Sequence, residues 1–260
     1  MSLNFCFIGA GNLAFHLAKA LHFKDFQINQ VYNRTESSAK ELAEITGAEY
    51  TSTLDEIDKS ADIYIVAVKD SAIDEVLSRI DFQDKLVVHC SGSLPLSVLE
   101  KHAKNFGVIY PLQTFSKKRV IDFKKIPVFI EANSSANLEI LKNIAGAISE
   151  EVLVTNSEQR QLLHISAVFA CNFVNHFYFI AGELLKSKNI GFDVLKPLIL
   201  ETALKVQELR PFEAQTGPAV RFDENIIGKH LAKLADIEEY RQLYELISKS
   251  IFEHHKKMNG

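Results

Sequence analysis

Apolar and polar positions keep two different rhythms along this chain. In its first part, short β-branched or aromatic runs alternate with segments whose apolar residues recur at helical spacing. Leu3 to Ile8, Ile28 to Tyr32, Ile63 to Val68, Leu86 to His89, Gly107 to Tyr110 and Pro127 to Ile130 read as strands. Between the first two, Leu13, Leu17, Ala20 and Leu21 place one apolar stripe on a helix reaching Phe23, and Glu36 to Thr46 is a second helix. This alternation predicts parallel crossovers and a doubly wound α/β sheet. The run from Ile63 to Val68 is apolar on both faces, as a sheet covered on both sides requires.

After about residue 156 the strand pattern stops. Ser157 to Ser187 reads as one long helix, followed by helices over Phe192 to Leu209, Asp223 to Leu234 and Ile237 to Lys257. Arg210 to Arg221, with two prolines and a Gly-Pro step, reads as a loop. The expected organisation is therefore an α/β domain over residues 1–155 and an all-α domain over residues 156–260. The apolar run from Val168 to Leu185 is interrupted by Asn172, Asn175, His176 and Glu183. Those side chains are expensive in lipid, so a buried helix is expected there and no membrane association.

Composition narrows the class. Hydrophobic residues make up 47% and charged residues 24% of the 260, which excludes a disordered or collagen-like chain. Lys plus Arg numbers 29 against 33 acids, a net charge of -4 that argues against a nucleic-acid binder with a wholly basic surface. The basic run Lys117-Lys118-Arg119 with Lys124-Lys125 reads as a solvated face. Cys6, Cys90 and Cys171 lie far apart, which suits a reducing compartment. The first six residues lack the basic leader and apolar core of a signal peptide, so a cytoplasmic protein is expected. His254-His255-Lys256-Lys257 reads as a frayed helix end. No metal-ligand spacing occurs, and no metal is expected.

Chemistry enters at Gly9-Ala10-Gly11-Asn12-Leu13-Ala14, a G-x-G-x-x-A turn set directly after a strand and opening a helix. Gly9 permits the tight turn, Gly11 lets backbone approach a pyrophosphate, and Ala14 is small enough for close packing. The helix N-terminus then offers N–H groups to phosphate. The second strand ends Tyr32-Asn33-Arg34-Thr35, with no acid to hold a ribose 2′-hydroxyl. Arg34 is a planar fork suited to a 2′-phosphate, and NADP is the expected cofactor. Asn33 and Thr35 flank it.

Ligands of such sheets bind beyond the carboxyl ends of the strands. Three further strand ends therefore belong to the same crevice. Val68 and Lys69 are expected against the cofactor, with Asp70 reading as a helix N-cap. Ser91 and Gly92 are expected near the nicotinamide, and Gln113 and Thr114 near the substrate.

With these segments in place, the chain resembles a bacterial family that joins an N-terminal Rossmann domain to a C-terminal helical domain of unassigned function. That family is related to pyrroline-5-carboxylate reductase, β-hydroxyacid dehydrogenases and deazaflavin-dependent NADP oxidoreductases. The likeness rests on the glycine turn, Asn33-Arg34-Thr35, Val66 to Asp70, His89 to Ser93 and Tyr110 to Phe115. In the second half it rests on Leu163 to Phe173 and Thr216 to Asp223. It implies an NADP-dependent oxidoreductase and a homodimer built through the helical domain. Tyr110 departs from the histidine expected of many relatives at that position.

Related enzymes carry a lysine and then an asparagine on the first long helix, but no lysine occurs between Glu158 and Leu185. His164 and Asn172 stand there instead, expected on one broad face and roughly 12 Å apart at ~1.5 Å per residue. One reading makes His164 the acid/base and Asn172 the group that orients substrate; the other makes this helix an interface element whose polar groups satisfy one another. Arg221 either clamps a substrate carboxylate or pairs with Asp223. The sequence thus points to an NADP-dependent oxidoreductase of a small, carboxylate-bearing metabolite. The rival is a non-catalytic NADP-binding sensor or scaffold, and the resemblance alone adds a deazaflavin-linked hydride carrier.

Overall fold

The structure, a computed structural model, describes residues 3–259. Eight strands form one sheet: β1 (Asn4–Ile8), β2 (Gln27–Tyr32), β3 (Glu49–Thr51), β4 (Ile63–Val66), β5 (Leu86–His89), β6 (Asn105–Pro111), β7 (Val128–Ala132) and β8 (Val152–Val154). Their order is β3-β2-β1-β4-β5-β6-β7-β8. The α/β expectation holds, and β3 and β8 are additions to the strands predicted from the sequence. Alternation along β1 decides how the sheet is covered. Phe5 and Phe7 enter one core, with Leu17 of helix α1 (Asn12–His22), Leu42 of α2 (Glu36–Thr46) and Leu141 of α4 (Ser135–Ile148). Cys6 and Ile8 face the other way, into a core with Val76 of α3 (Ile73–Leu77) and Leu99.

Not every connection is a parallel crossover. β6 and β7 pair antiparallel, with Ile109 opposite Ile130. Residues 112–127 carry only a single 3-10 turn, Phe123–Lys125, so the chain has no crossover helix there and doubles back. After β7, α4 restores a crossover and β8 joins parallel. On the other side, the chain runs outward from β1 to β2 and β3 and then returns to β4 beside β1. The order therefore reverses between β1 and β4, the place where doubly wound sheets open a ligand crevice.

The long helix of the sequence reading is present, with a change of winding inside it. It runs as α5 (Ser157–Ala167), a π-helical segment (Val168–Phe173) and α6 (Val174–Lys186). A capping box starts it, Asn156 accepting from the Gln159 N–H at 2.9 Å while the Gln159 side chain accepts from the Asn156 N–H. The expected burial does not hold: among Ser157–Lys186 only Arg160 is buried. Leu162, Ile165, Phe177 and Phe179 of this helix are exposed, and by length and composition alone it is long and apolar enough to cross a membrane.

The described residues divide into two compact units at Asn172/Phe173. The second holds α6, α7 (Lys196–Glu208), α8 (Pro211–Ala214), α9 (Glu224–Lys233) and α10 (Glu238–Asn259). The expected loop at Arg210 to Arg221 contains α8 and a 3-10 turn, Pro218–Arg221, because Pro211 and Pro218 stand in the first turns, where a missing N–H costs nothing. The expected frayed end is also corrected. α10 continues through His255, which is buried and stacks on Phe212 with ring centroids 4.1 Å apart.

Candidate functional site

The glycine turn sits at the reversal point. Gly9 takes φ +114°, and a Cβ there would lie 2.5 Å from the Ala67 carbonyl oxygen at the end of β4. No other residue closes this corner, since the left-handed backbone and the contact both exclude a side chain. The Gly9 N–H donates to the Tyr32 carbonyl (2.8 Å), and the Ala10 N–H donates to Asn33 Oδ1 (3.2 Å). Asn33 Nδ2 donates in turn to the Thr35 carbonyl (3.0 Å), so one side chain ties the turn to the tip of β2.

Gly11 caps α1 with no side-chain hydrogen bond, and space in front of its Cα is open. The first-turn N–H groups that begin at Asn12 and Leu13 are thereby left for an anion. Arg34 and Thr35 are exposed beside this turn, and Arg34 makes no ion pair among the described residues. Val68 is half-buried and Lys69 exposed at the end of β4. An open phosphate cradle next to an unpaired arginine, with no acid at the strand tip, fits NADP.

A cavity of about 700 Å³ opens beside the cradle, and Leu13 belongs to its lining. Ser91, Gly92, Gln113, Thr114, His164 and Asn172 line it together, so six residues singled out from three separate stretches of sequence converge. The straight-helix count from His164 to Asn172 needs amendment, because the π segment Val168–Phe173 intervenes and shifts the angular register. Both residues still face this cavity. Arg221 ends a 3-10 turn of the second unit; no ion pair joins it to Asp223, whose carboxylate instead caps α9 by accepting from the Ile226 N–H at 3.2 Å.

Asp70 is not the N-cap expected. Its carboxylate accepts from the hydroxyls of Ser91 (3.0 Å) and Ser93, and it lines the cavity. Those hydroxyls compete successfully with the backbone N–H groups of the short helix that follows, for which Lys69 stands at the cap position.

Two features escaped the sequence reading. Tyr110, at the end of β6, lines the cavity with its Oη 3.1 Å from His164 Nδ1. The second is a buried polar girdle behind the site. Arg160 Nη1 contacts the Glu131 carboxylate, and its other nitrogens donate to the carbonyls of Ser91 and Leu94. Ser157 donates to Glu131 from both its N–H and its hydroxyl, at 3.0 Å each. Neither arrangement has a local motif, since Tyr110 and His164 are 54 residues apart and Glu131 and Arg160 are 29 apart.

Electrostatics follow from that burial. Burial raises the Tyr110 phenol above its ordinary range, with the Arg160 charge pulling the other way. His89, wholly buried behind Ser91, is lowered to about 4 by burial and then by the Arg160 charge. It accepts the Ser91 N–H at Nδ1 (3.1 Å) as a neutral ring. Cys90 also lines the cavity, but burial pushes its thiol up to about 12, so it is not a thiolate nucleophile.

Comparison with known proteins adds kinship to this geometry. Residues 4–92 match a family described as "NADP oxidoreductase coenzyme F420-dependent", and residues 126–251 match a domain of unknown function, DUF2520. A solved Bacteroides fragilis protein, BF3122, named as a candidate NADP oxidoreductase, is 54% identical over 97% of this chain and 98% of its own, with a TM-score of 0.94. An imine reductase from Myxococcus stipitatus, solved with NADP+, is 17% identical over 98% of this chain and 93% of its own, with a TM-score of 0.64. A pyrroline-5-carboxylate reductase from Coxiella burnetii is 17% identical over 99% of this chain and 98% of its own, with a TM-score of 0.56. At that identity these two share the fold. No curated protein matches the chain.

Proposed function

Because the chain belongs to the family of NADP oxidoreductases that joins a Rossmann domain to a DUF2520 domain, we propose that it reduces a C=O or C=N bond in a small, carboxylate-bearing metabolite. The observation that carries this reading is the convergence of His164 and Asn172 on the cavity that shares Leu13 with the glycine turn. NADPH, when bound, supplies the hydride. Gly9, Ala10, Gly11, Asn12 and Leu13 hold the pyrophosphate, Arg34 with Thr35 takes the 2′-phosphate while Asn33 ties their strand tip to the turn, and Val68, Lys69, Ser91 and Gly92 border the nicotinamide side. Asn172 orients substrate, His164 handles the proton, and Gln113 and Thr114 flank the reacting group.

The helical domain completes the protein as a homodimer. Phe177, Phe179, Leu198, Leu200 and Leu204 are exposed on the second unit, and the helical domain of a second copy would cover them. A monomeric mass by light scattering overturns that part. Three free cysteines and no disulfide fit a cytoplasmic location.

Titration of the purified protein with NADPH and NADH tests the core of the reading, followed by turnover on a panel of 2-oxo acids and cyclic imines. Preferential NADPH binding with turnover supports it. Preferential binding without turnover of any panel member favours a sensor or scaffold, and binding of neither nucleotide removes the cofactor assignment for this chain.

A further inference from the structure

The proton handled in this reaction has to leave a definite atom, and the geometry around His164 restricts which one. The imidazole Nδ1 is 3.1 Å from Tyr110 Oη, with the two rings edge-on, centroids 6.1 Å apart and planes at 72°. The Gly92 main chain sits against both rings at once: a Cβ there would stand 2.7 Å from His164 Nδ1 and 2.8 Å from Tyr110 Cζ. Gly92 thus stands where the two rings meet, and its lack of a side chain lets the phenol and Nδ1 come together. Tyr110 Oη, in hydrogen-bond reach of Nδ1, lines the cavity beside His164 and offers it a hydroxyl through which a proton can pass.

We propose, building on the reductase reading above, that Tyr110 is the proton donor to the substrate and that His164 acts behind it, holding the phenol and restoring its proton. Reduction of a C=O or C=N bond adds a hydride to carbon and a proton to the heteroatom. The Tyr110 O–H bond breaks as the heteroatom–H bond forms, leaving a phenolate. His164, taking up a solvent proton at Nε2, passes its Nδ1 proton to that oxygen, and exchange of the remaining ring proton with solvent restores the Nδ1–H tautomer, so the net proton given to substrate comes from solvent. In the oxidative direction the same sequence runs backwards.

The surroundings suit both states of the phenol. Burial keeps Tyr110 protonated while it waits, so its O–H stands ready to donate, and the Arg160 charge favours the transient phenolate. Arg160 is itself fixed by Glu131 and by the carbonyls of Ser91 and Leu94, and it stands one turn before His164 on α5. Tyr110 thus supplies from β6 the acid that the stretch between Glu158 and Leu185, which has no lysine, lacks.

The test uses the full chain and the variants Tyr110→Phe, His164→Asn and His164→Ala. Each is read by NADPH titration, by turnover on the panel of 2-oxo acids and cyclic imines, and by the nitrogen resonances of the His164 ring. Tyr110→Phe should lower kcat by about 100-fold or more while leaving NADPH affinity within about twofold. It should also shift the His164 Nδ1 resonance, a readout independent of turnover. His164→Ala should lower kcat, and His164→Asn, whose amide can occupy the place of Nδ1, should recover part of it. A Tyr110→Phe protein that keeps kcat within about threefold, or leaves the Nδ1 resonance unmoved, overturns the assignment of Tyr110 while the reductase reading stands. A wild type that reduces no member of the panel overturns both.

Discussion

Arg160 and Glu131 form an ion pair in which the arginine side chain is wholly buried and the glutamate nearly so. Glu131 comes from β7 and Arg160 from α5, and the arginine reaches on to the carbonyls of Ser91 and Leu94. The loop at Ser91 and the helix α5, both of which bear on the cavity, are thus tied to β7 by one guanidinium. Removing one partner of such a pair strands the other charge in a low-dielectric interior, which costs about 3–5 kcal/mol. Glu131→Ala should accordingly lower the urea midpoint sharply. Glu131→Gln, which keeps hydrogen-bonding capacity for Ser157, should cost less. Equal midpoints for the wild type and Glu131→Ala would show that the pair contributes nothing net.

His89 makes stability depend on pH in a predictable direction. Its folded-state value of about 4 lies below the ~6.5 of an unfolded histidine, because burial and then the Arg160 charge disfavour the imidazolium. Between those two values the unfolded chain binds a proton that the folded chain does not. Stability attributable to His89 is therefore complete above about pH 6.5 and drains away as pH falls towards 4, by about 3 kcal/mol in all. Denaturant midpoints at pH 7, 6 and 5 should fall more steeply for the wild type than for His89→Gln. Parallel slopes would sink the idea.

Gly92→Ala should separate Tyr110 from His164 without touching either. The added methyl would stand 2.7 Å from His164 Nδ1 and 2.8 Å from Tyr110 Cζ, too close for any real contact, so one ring must move. Turnover should fall by at least about tenfold, since losing one well-placed hydrogen bond at the reacting group is worth ~1.4 kcal/mol or more. The melting temperature should drop only by the modest amount that a displaced ring costs. Unchanged kcat with unchanged stability would mean that the two rings have room to rearrange.

How much of this was legible in the sequence depends on how local each feature is. The turn at Gly9 and Gly11 declared itself because strand, turn and helix follow one another within a few residues, and the structure adds only the reason for Gly9, the Ala67 carbonyl at 2.5 Å. β1 was equally plain, its alternate residues dividing between two cores. β3 and β8 were not, because strands of three residues carry no measurable period. The antiparallel return from β6 to β7 could not be read either, since nothing in residues 112–127 but a missing helix announces it. The site divides in the same way. His164 and Asn172 stood out as polar residues on an apolar helix. Tyr110 looked like the loss of a histidine until the fold set its hydroxyl against His164, 54 residues away. Asp70 looked like a cap because a helix follows it, and only the fold brings the Ser91 and Ser93 hydroxyls to it.

Cofactor choice gives the most direct test of the tip of β2. Asn33 spends its Oδ1 on the Ala10 N–H and its Nδ2 on the Thr35 carbonyl, so it holds the turn and has little left for a ligand. Arg34, exposed beside it and without an ion pair among the described residues, carries the only positive charge of the Asn33-Arg34-Thr35 segment. A guanidinium can grip a 2′-phosphate with two parallel hydrogen bonds, and each charge-assisted bond is worth ~1.5–3 kcal/mol. Arg34→Ala should therefore weaken NADPH binding by about 10- to 100-fold and leave NADH, which has no 2′-phosphate, nearly unchanged. Arg34→Lys should fall between, because an ammonium keeps the charge and loses the fork. Asn33→Ala should behave differently and weaken both nucleotides alike, since it loosens the turn that both pyrophosphates need. Calorimetric titration of the three variants separates these patterns, and an Arg34→Ala protein that still prefers NADPH as strongly as the wild type would place the 2′-phosphate elsewhere.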